Sequence, residues 1–240
     1  SKMGIMSLVQ VFQSSFMPAL SDAQNQSERF SAIARRLNRF TAYVTFPSMI
    51  ILSAMALPLF HALFGPKWDD AVPLFQLLLI RGIFYLVTTS YNNYIVARGC
   101  ARLIVKVEIV RDITALVALV ATIPLLNLEI PQIPFAGLQI MLAGQIIASI
   151  VAWIYTLILS SSISGATPKD FITDAVPSLV SSLMAVVPAV ILLDTSLSPW
   201  IVFPLQALSS GTLYLILNAI SRSAIQREVL TIALSRFSSR

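Results

Sequence analysis

Charged side chains are scarce in this chain of 240 residues, at 11% against roughly 25% in soluble domains. Hydrophobic residues make up 57%, and the mean hydropathy is +0.82. Because a surface that faces water cannot be built from this composition, the sequence predicts a protein embedded in a bilayer. Its apolar runs exceed the about 9–11 residues of a barrel strand, and backbone groups in lipid must pair internally. We therefore predict an all-α integral membrane protein.

Cysteine and histidine are nearly absent, with one of each. Cys100 alone cannot form an internal disulfide or a cysteine metal cluster, and His61 alone gives no histidine metal site and no Ser/His/Asp triad. The sequence also lacks a Gly-rich phosphate loop followed by Lys-Ser/Thr, and it lacks a Gly-x-Gly-x-x-Gly run. We expect no metal, no cofactor, no catalytic residue and no enzymatic activity.

Two long apolar runs organise the chain. Residues 42–64 carry no formal charge, and residues 72–97 carry only Arg81. Each run exceeds the roughly 20 residues that a helix needs to cross the hydrocarbon core. The two runs and the short polar turn between them predict a transmembrane hairpin.

The turn itself carries helix stop and start signals. Gly65-Pro66 ends the first helix, while Asp69 or Asp70 can cap the second. Trp68 suits the headgroup zone, where an indole has one polar and one apolar edge, and His61 is interpreted as a headgroup contact.

The same criteria predict seven spans in all, over residues 4–20, 42–64, 72–97, 107–126, 135–159, 175–193 and 200–219. Before the sixth, Thr167-Pro168-Lys169-Asp170 is interpreted as cap, first helical residue and N-terminal acid. The first span is short, and Ser1 is not preceded by a charged leader. We interpret the chain as a fragment that lacks its N-terminal part, with no signal peptide.

Two amphipathic segments lie outside these spans. Residues 27–40 place arginines opposite an apolar stripe, with Ser27 as a plausible cap, and the stripe consists of Phe30, Ile33, Ala34, Leu37 and Phe40. This pattern predicts a helix on anionic headgroups; the alternative is a solvated connector. The tail over residues 221–240 is basic and amphipathic.

Lysine and arginine are distributed asymmetrically between alternate loops, which tests this arrangement. One side holds only Lys2 and Lys67, and the other holds thirteen residues: Arg29, Arg35, Arg36, Arg39, Arg98, Arg102, Lys106, Arg111, Lys169, Arg222, Arg227, Arg236 and Arg240. This bias explains the net charge of +5 by orientation rather than by nucleic-acid binding. The amphipathic segments and the C-terminus are predicted to be cytoplasmic, and the turn at Lys67 faces outward.

Arg81 is the one charge near the middle of a span. Placing it there costs about 2.5–3.5 kcal/mol on an insertion scale, so we expect it to face a cavity or a partner. Helical spacing puts Tyr85, Thr88 and Asn92 on the same face. The stripe is interpreted either as a cavity wall that binds an anionic head group such as a pyrophosphate, or as an arginine that snorkels or bonds carbonyls of a neighbouring helix.

Three charges cluster at the cytoplasmic start of the fourth span. Glu108 with Arg111 or Asp112 is a candidate intrahelical pair or gate, and Asp112 is a candidate proton or cation site. An interfacial salt bridge is the favoured alternative. Weaker polar stripes, explained equally well by contacts between helices, consist of Gln139, Gln145 and Ser149, and of Gln206, Ser210 and Tyr214.

Three short motifs carry a family resemblance. Phe16-Met17-Pro18-Ala19-Leu20-Ser21 before an Arg-rich helix resembles the "FPALS" segment of bacterial polysaccharide flippases. Residues 64–74, FGPKWDDAVPL, resemble their "FG-x-x-W-x-x-A-V-P-L" turn, and Ala97-Arg98-Gly99 is similar to their "A-x-G" span end. These are O-antigen and exopolysaccharide exporters of the multidrug/oligosaccharidyl-lipid/polysaccharide (MOP) superfamily. The resemblance covers the whole chain, which would be the C-terminal lobe of a protein of about fourteen helices, beginning with the eighth.

The resemblance implies a transporter of the bacterial cytoplasmic (inner) membrane that flips an undecaprenyl-diphosphate-linked oligosaccharide by alternating access. Its implied partners are that glycan lipid, membrane lipids, a polysaccharide polymerase and chain-length proteins. In such families, cavity arginines engage the pyrophosphate, and Arg81 matches this role by depth rather than by motif. Three alternatives remain: a drug/cation antiporter of the same superfamily, which predicts a mid-span carboxylate that the spans lack; a membrane glycan polymerase or ligase, which usually has a large outward loop; and a non-transporting scaffold.

Overall fold

The computed structural model describes residues 17–127, 130, 133–195 and 197–221. In this part of the chain the structure is helical, with a single isolated bridge between Ile130 and Ile133 and no strand. The predicted all-α class is therefore confirmed. Most of the predicted span over residues 4–20, and the tail beyond Ser221, lie outside the described residues.

Eight α-helices have both ends within the described residues. They are α1 Ser27–Ala54, α2 Ala56–Leu63, α3 Val72–Ala97, α4 Arg102–Thr122, α5 Ala136–Ser164, α6 Pro168–Met184, α7 Val187–Ile191 and α8 Pro199–Ile220. Short 3-10 turns, Pro66–Ala71, Ile123–Leu125 and Leu192–Asp194, join some of them. The bounds of α3 are those predicted from the sequence, and α5 and α8 cover the predicted fifth and seventh spans.

Helix ends follow the predicted signals in most places. Thr167 and Asp170 form a capping box at the start of α6, with the side chain of each bonding the backbone N–H of the other. Glycines in the left-handed region end two helices, Gly99 after α3 (φ 73°) and Gly165 after α5 (φ 77°). The cap predicted at Asp69 or Asp70 is wrong, because Ala71 occupies the N-cap of α3 and makes no side-chain bond.

The first helix differs from the prediction. Residues 27–40 and 42–64 were predicted as separate helices, but α1 continues without interruption to Ala54 and bends by 65° into α2. Nothing near residue 41 breaks a helix, whereas Pro58 lacks a backbone N–H and is tolerated only in the first turn of a new helix. The predicted cap at Ser27 is also wrong, since Gln26 is the N-cap and bonds nothing through its side chain.

Within the described residues, four helices are long and apolar enough to cross a membrane, and a fifth span is added if α1 and α2 count as one broken span. Helix α4 covers residues 107–122 of the predicted fourth span but fails this test, because all five of its charged residues lie between Arg102 and Asp112. The predicted count of seven spans is therefore not confirmed. The sixth predicted span is broken after Met184, and Pro188 lies in the first turn of α7.

The helices pack side by side in the order α4, α5, α3, α1, α6, and α8 lies against α2 and α7. At one end of the bundle, the apolar stripe of α1 is buried: Phe30, Ala34 and Leu37 are fully buried and pack with Tyr94 and Phe171. This corrects the predicted position of the stripe on lipid headgroups. Tyr94 of α3 and Phe171 of α6 cover the stripe, because packing against large aromatic rings buries more of its apolar area than contact with lipid headgroups would.

Candidate functional site

The start of α1, the end of α3 and the start of α6 lie at one end of the bundle, which we call the basic end. There the carboxylate of Asp174 on α6 binds two arginines of α1. Asp174 accepts hydrogen bonds from Arg35 Nε at 2.7 Å and Arg35 Nη2 at 3.0 Å, and from Arg39 Nη1 at 3.1 Å. Its side chain is only 8% exposed. Arg35 also lies 3.7 Å from Asp170, in the first turn of α6. We call the contacts of Asp174 with Arg35 and Arg39 the Asp174 clamp; they fix α1 against α6.

The sequence interpretation missed this clamp. A signal was present, because Arg35 and Arg39 are four residues apart and so are Asp170 and Asp174, which places each pair on one helix face. Charge complementarity between the two segments would have predicted contact between α1 and α6.

Arg98, just after α3, joins three further segments at the same end. Its Nε donates to the carbonyl of Ile163 at 3.1 Å, its Nη1 donates to the carbonyl of Gln24, and its guanidinium lies 4.5 Å from the ring centroid of Phe30. The side chain of Asn38 donates to the carbonyl of Phe171 at 2.8 Å. Arg35, Arg39 and Arg98, which belong to the arginines predicted to face the cytoplasm, therefore connect neighbouring segments at this end of the bundle.

The predicted polar stripe lies on α3. Arg81 is half-buried, Tyr85 is 47% exposed, Thr88 is buried, and Asn92 is half-buried with its Oδ1 enclosed and unbonded. From Val72, nine residues of helix place Arg81 about 14 Å along α3, which is near the middle of a hydrocarbon core of about 30 Å. With the described residues, Arg81 forms no ion pair or hydrogen bond. Four other arginines bond an acidic side chain or a carbonyl: Arg35, Arg39, Arg98 and Arg111.

The stripe runs along the edge of an open face of α3. Leu78, Tyr85 and Val96 are each more than 40% exposed, and they are separated by multiples of a helical turn. On the other side of the stripe α5 packs, with Phe84 against Trp153 at a ring-centroid distance of 5.9 Å. Arg81 therefore lies where a ligand or another part of a larger protein can reach it.

Three of the five charged residues of α4, Glu108, Arg111 and Asp112, are paired within their own helix. Arg111 forms salt bridges with Glu108 and with Asp112, the latter at 3.1 Å. The Asp112 side chain is 70% exposed. The predicted intrahelical pair is therefore present, and a gate or ion site at these residues stays a prediction. None of the three contacts the stripe on α3.

Some residues of the weaker polar stripes form hydrogen bonds with other helices, and others bond carbonyls nearby in the sequence. Gln145 donates to the carbonyl of Ala115 at 2.9 Å, and Tyr214 donates to the carbonyl of Tyr43 at 2.8 Å. Gln139 and Ser149 instead bond carbonyls close by in sequence, those of Pro134 and Gln145. The pattern fits polar contacts between helices.

At the opposite end of α3, the turn is held by a side-chain pair. His61 Nε2 lies 2.6 Å from Asp69 Oδ1, so these residues bond each other across the 3-10 turn. Trp68 is 48% exposed and its ring lies 5.8 Å from that of Phe64. His61 therefore bonds Asp69 instead of making the predicted headgroup contact. Trp68 is exposed, as expected.

A groove of about 350 Å³ lies where two helices are interrupted, next to the ends of α1 and α6. Its lining is mainly apolar: Met49, Ile50, Ser53, Ala54, Gln76, Ile80, Ile83, Leu183 and Val186. Gln76 donates to the carbonyl of Ser53 at 3.0 Å, close to the break in α1. Within the described residues, no group of three histidine, cysteine or acidic side chains could hold a metal ion.

Several apolar helices in one all-α bundle define a multi-pass membrane protein. Residues 1–73 match a family model described as polysaccharide biosynthesis protein. An "Uncharacterized membrane protein in cps region" of Klebsiella pneumoniae is 31% identical over 96 residues, which are 40% of this chain and 20% of the relative. No solved structure matches the chain. The two matches, each over less than half of this chain, fit a protein of the polysaccharide flippase family. They also support a role in polysaccharide biosynthesis.

Proposed function

We propose that this chain is one lobe of a transporter that flips an undecaprenyl-diphosphate-linked oligosaccharide, an O-antigen or exopolysaccharide repeat unit, across the bacterial cytoplasmic membrane. Transport occurs by alternating access between two lobes, as in the MOP superfamily, and without an enzymatic step. The match to polysaccharide biosynthesis proteins and the multi-pass helical bundle support this proposal. The match spans about a fifth of the length of the relative, and we propose the activity for a longer protein that contains this chain.

The observation that carries the proposal is the state of Arg81. Arg35, Arg39, Arg98 and Arg111 all bond acidic side chains or carbonyls, whereas Arg81 lies at mid-depth without such a partner in the described part of the chain. A guanidinium presents a planar set of donors that binds phosphate oxygens in pairs. A diphosphate that passes the middle of the membrane needs a positive group at this depth.

The arrangement around Arg81 suits a ligand with a polar head and an apolar tether. Tyr85 and Asn92 supply polar groups about one and three turns beyond it on the same helix face, toward the C-terminal end of α3. Leu78 and Val96 extend that face with apolar surface. The Asp174 clamp holds α1 and α6 together at the basic end of the bundle. We assign this end to the cytoplasm, with the C-terminus, and the His61–Asp69 turn to the outside.

The experiment is a flipping assay with the full-length protein in proteoliposomes and a fluorescent undecaprenyl-diphosphate-linked sugar. We expect Arg81→Ala to reduce the rate about tenfold or more, because a charged hydrogen bond contributes about 1.5–3 kcal/mol. Arg81→Lys should retain part of the activity, since it keeps the charge but loses the paired donors. Arg102→Ala is the control, because it removes an exposed charge at the start of α4.

Two outcomes would contradict the proposal at different levels. If both Arg81 variants flip the lipid at the unaltered rate, the role of Arg81 is refuted. If the unaltered full-length protein moves no lipid-linked sugar above protein-free vesicles, flipping itself is refuted.

A further inference from the structure

Four polar side chains on one face of helix α8 are buried. Gln206, Ser210, Tyr214 and Asn218 follow each other at intervals of four residues, and none is more than 5% exposed. Polar side chains that are enclosed among apolar helices need hydrogen-bond partners, because neither lipid nor bulk water supplies them.

Three of these residues have such partners. Gln206 Nε2 donates to the carbonyl of Ala189 on α7 at 2.7 Å, Tyr214 bonds the carbonyl of Tyr43, and Asn218 Nδ2 donates to the carbonyl of Tyr214 at 2.9 Å. The bond to Ala189 also fixes the orientation of the Gln206 amide, because only its NH₂ group can donate to a carbonyl. Gln206 Oε1 therefore points away from Ala189.

Two fully buried atoms, Gln206 Oε1 and Ser210 Oγ, form no hydrogen bond with any described residue. The neighbouring hydroxyls of α8 behave differently: Ser209 and Thr212 each bond the carbonyl four residues back, at 2.7 Å. Ser210 makes no such bond, so both its donor and its acceptor capacity are free. One helical turn separates it from Gln206, which places their Cβ atoms about 5–6 Å apart.

The two atoms lie beside the break between α6 and α7. Gln206 bonds Ala189 in α7, and Ala185 and Ala189 are fully buried next to α8. Pro188 has no backbone N–H, so the carbonyl of Met184 loses its usual helical donor. Broken helices inside membranes are tolerated where side chains or ordered waters bond the released backbone groups.

We propose that one water molecule binds between these two buried side chains and bridges Gln206 Oε1 to Ser210 Oγ at the α6–α7 break. Water fits because it donates to the amide oxygen, while its remaining donor and lone pairs serve the hydroxyl, at about 2.7–3.0 Å from each. A monovalent cation fits less well, because both side chains are neutral and an unpaired buried charge is costly. This inference is independent of the substrate and of the role of Arg81.

The direct test is a map of the full-length protein at a resolution that shows ordered water. We expect one density peak within hydrogen-bonding distance of both Gln206 Oε1 and Ser210 Oγ. A map with no peak there, or one in which the two side chains bond each other or a neighbouring carbonyl directly, overturns the proposal.

A double-mutant cycle gives an independent test in detergent. We expect Gln206→Met and Ser210→Ala each to lower the melting temperature by about 2–4 °C or more, and the double variant to lower it by less than the sum. Ser209→Ala is the matched control and should change it little, since that hydroxyl is exposed and bonds its own helix. Strict additivity of the two changes overturns the bridge.

Melting in sodium chloride against choline chloride at equal ionic strength separates water from an ion. The proposal predicts equal melting temperatures in the two salts. If sodium raises the melting temperature and this effect disappears in Ser210→Ala, Gln206 and Ser210 bind a cation, and the proposal of a bound water is overturned.

Discussion

The Asp174 clamp should contribute measurably to the free energy of unfolding of the protein. Asp174→Asn keeps the shape of the side chain but removes the charge that receives three hydrogen bonds from Arg35 and Arg39. Removing one partner of a buried ion pair costs about 3–5 kcal/mol. Here both arginines are more than a third exposed and regain water, so we expect about 2 kcal/mol. Each kcal/mol lowers the melting temperature of a chain of this size by about 2–4 °C.

The assay is thermal unfolding in detergent, followed by tryptophan fluorescence or by light scattering. We expect Asp174→Asn to melt about 4–8 °C below the unaltered protein. Asp112→Asn is the matched control: this carboxylate is 70% exposed and bonds an arginine of its own helix, so its loss should cost less than about 0.5 kcal/mol. Equal melting of Asp174→Asn and the unaltered protein would refute the reasoning that the clamp holds α1 to α6.

Three further predictions concern orientation and helix ends. With Cys100 replaced by serine, Lys67→Cys should react with an impermeant maleimide added outside intact cells, and Lys169→Cys should react only after permeabilisation; the reverse pattern would contradict the assigned orientation. Thr167→Ala should cost about 0.5–2 kcal/mol in thermal unfolding, because it removes a cap of α6; no change would mean that the capping box contributes nothing. Gly165→Ala should cost at least about 1–2 kcal/mol, since φ is 77° and the new Cβ would lie 2.8 Å from a serine hydroxyl of α1; an equally stable variant would refute the strain.

Much of the fold follows from local sequence signals. The bounds of α3 are those of an apolar run between a Gly-Pro turn and a glycine, and the capping box of α6 is readable from four consecutive residues. These features depend on residues that are adjacent in the chain. For the same reason, the position of Arg81 along its helix could be predicted from the sequence alone.

The interruptions of the helices could not be predicted in the same way. Pro47, Pro177 and Pro204 lie inside continuous helices, whereas Pro58 and Pro188 lie just after breaks. A proline in a bundle can be accommodated by a bend or can start a new helix, and the packing of neighbouring helices decides between the two. The local sequence does not contain that information.

The partners of the charged residues were the other missing part. The arginines of α1 look alike in the sequence, and their amphipathic pattern indicated a membrane surface. Their partner Asp174 lies more than a hundred residues away and is brought near by the packing of α6. Arg81 shows the converse, because its lack of a partner among the described residues becomes visible only once the neighbouring helices are placed.

The role of Arg81 is tested most directly by the affinity of the purified full-length protein for undecaprenyl diphosphate, with and without Arg81. We expect Arg81→Ala to raise the Kd about tenfold or more, and we expect a smaller loss of affinity for the monophosphate, which offers fewer oxygens to the guanidinium. Equal affinities of Arg81→Ala and the unaltered protein for the diphosphate would contradict this role.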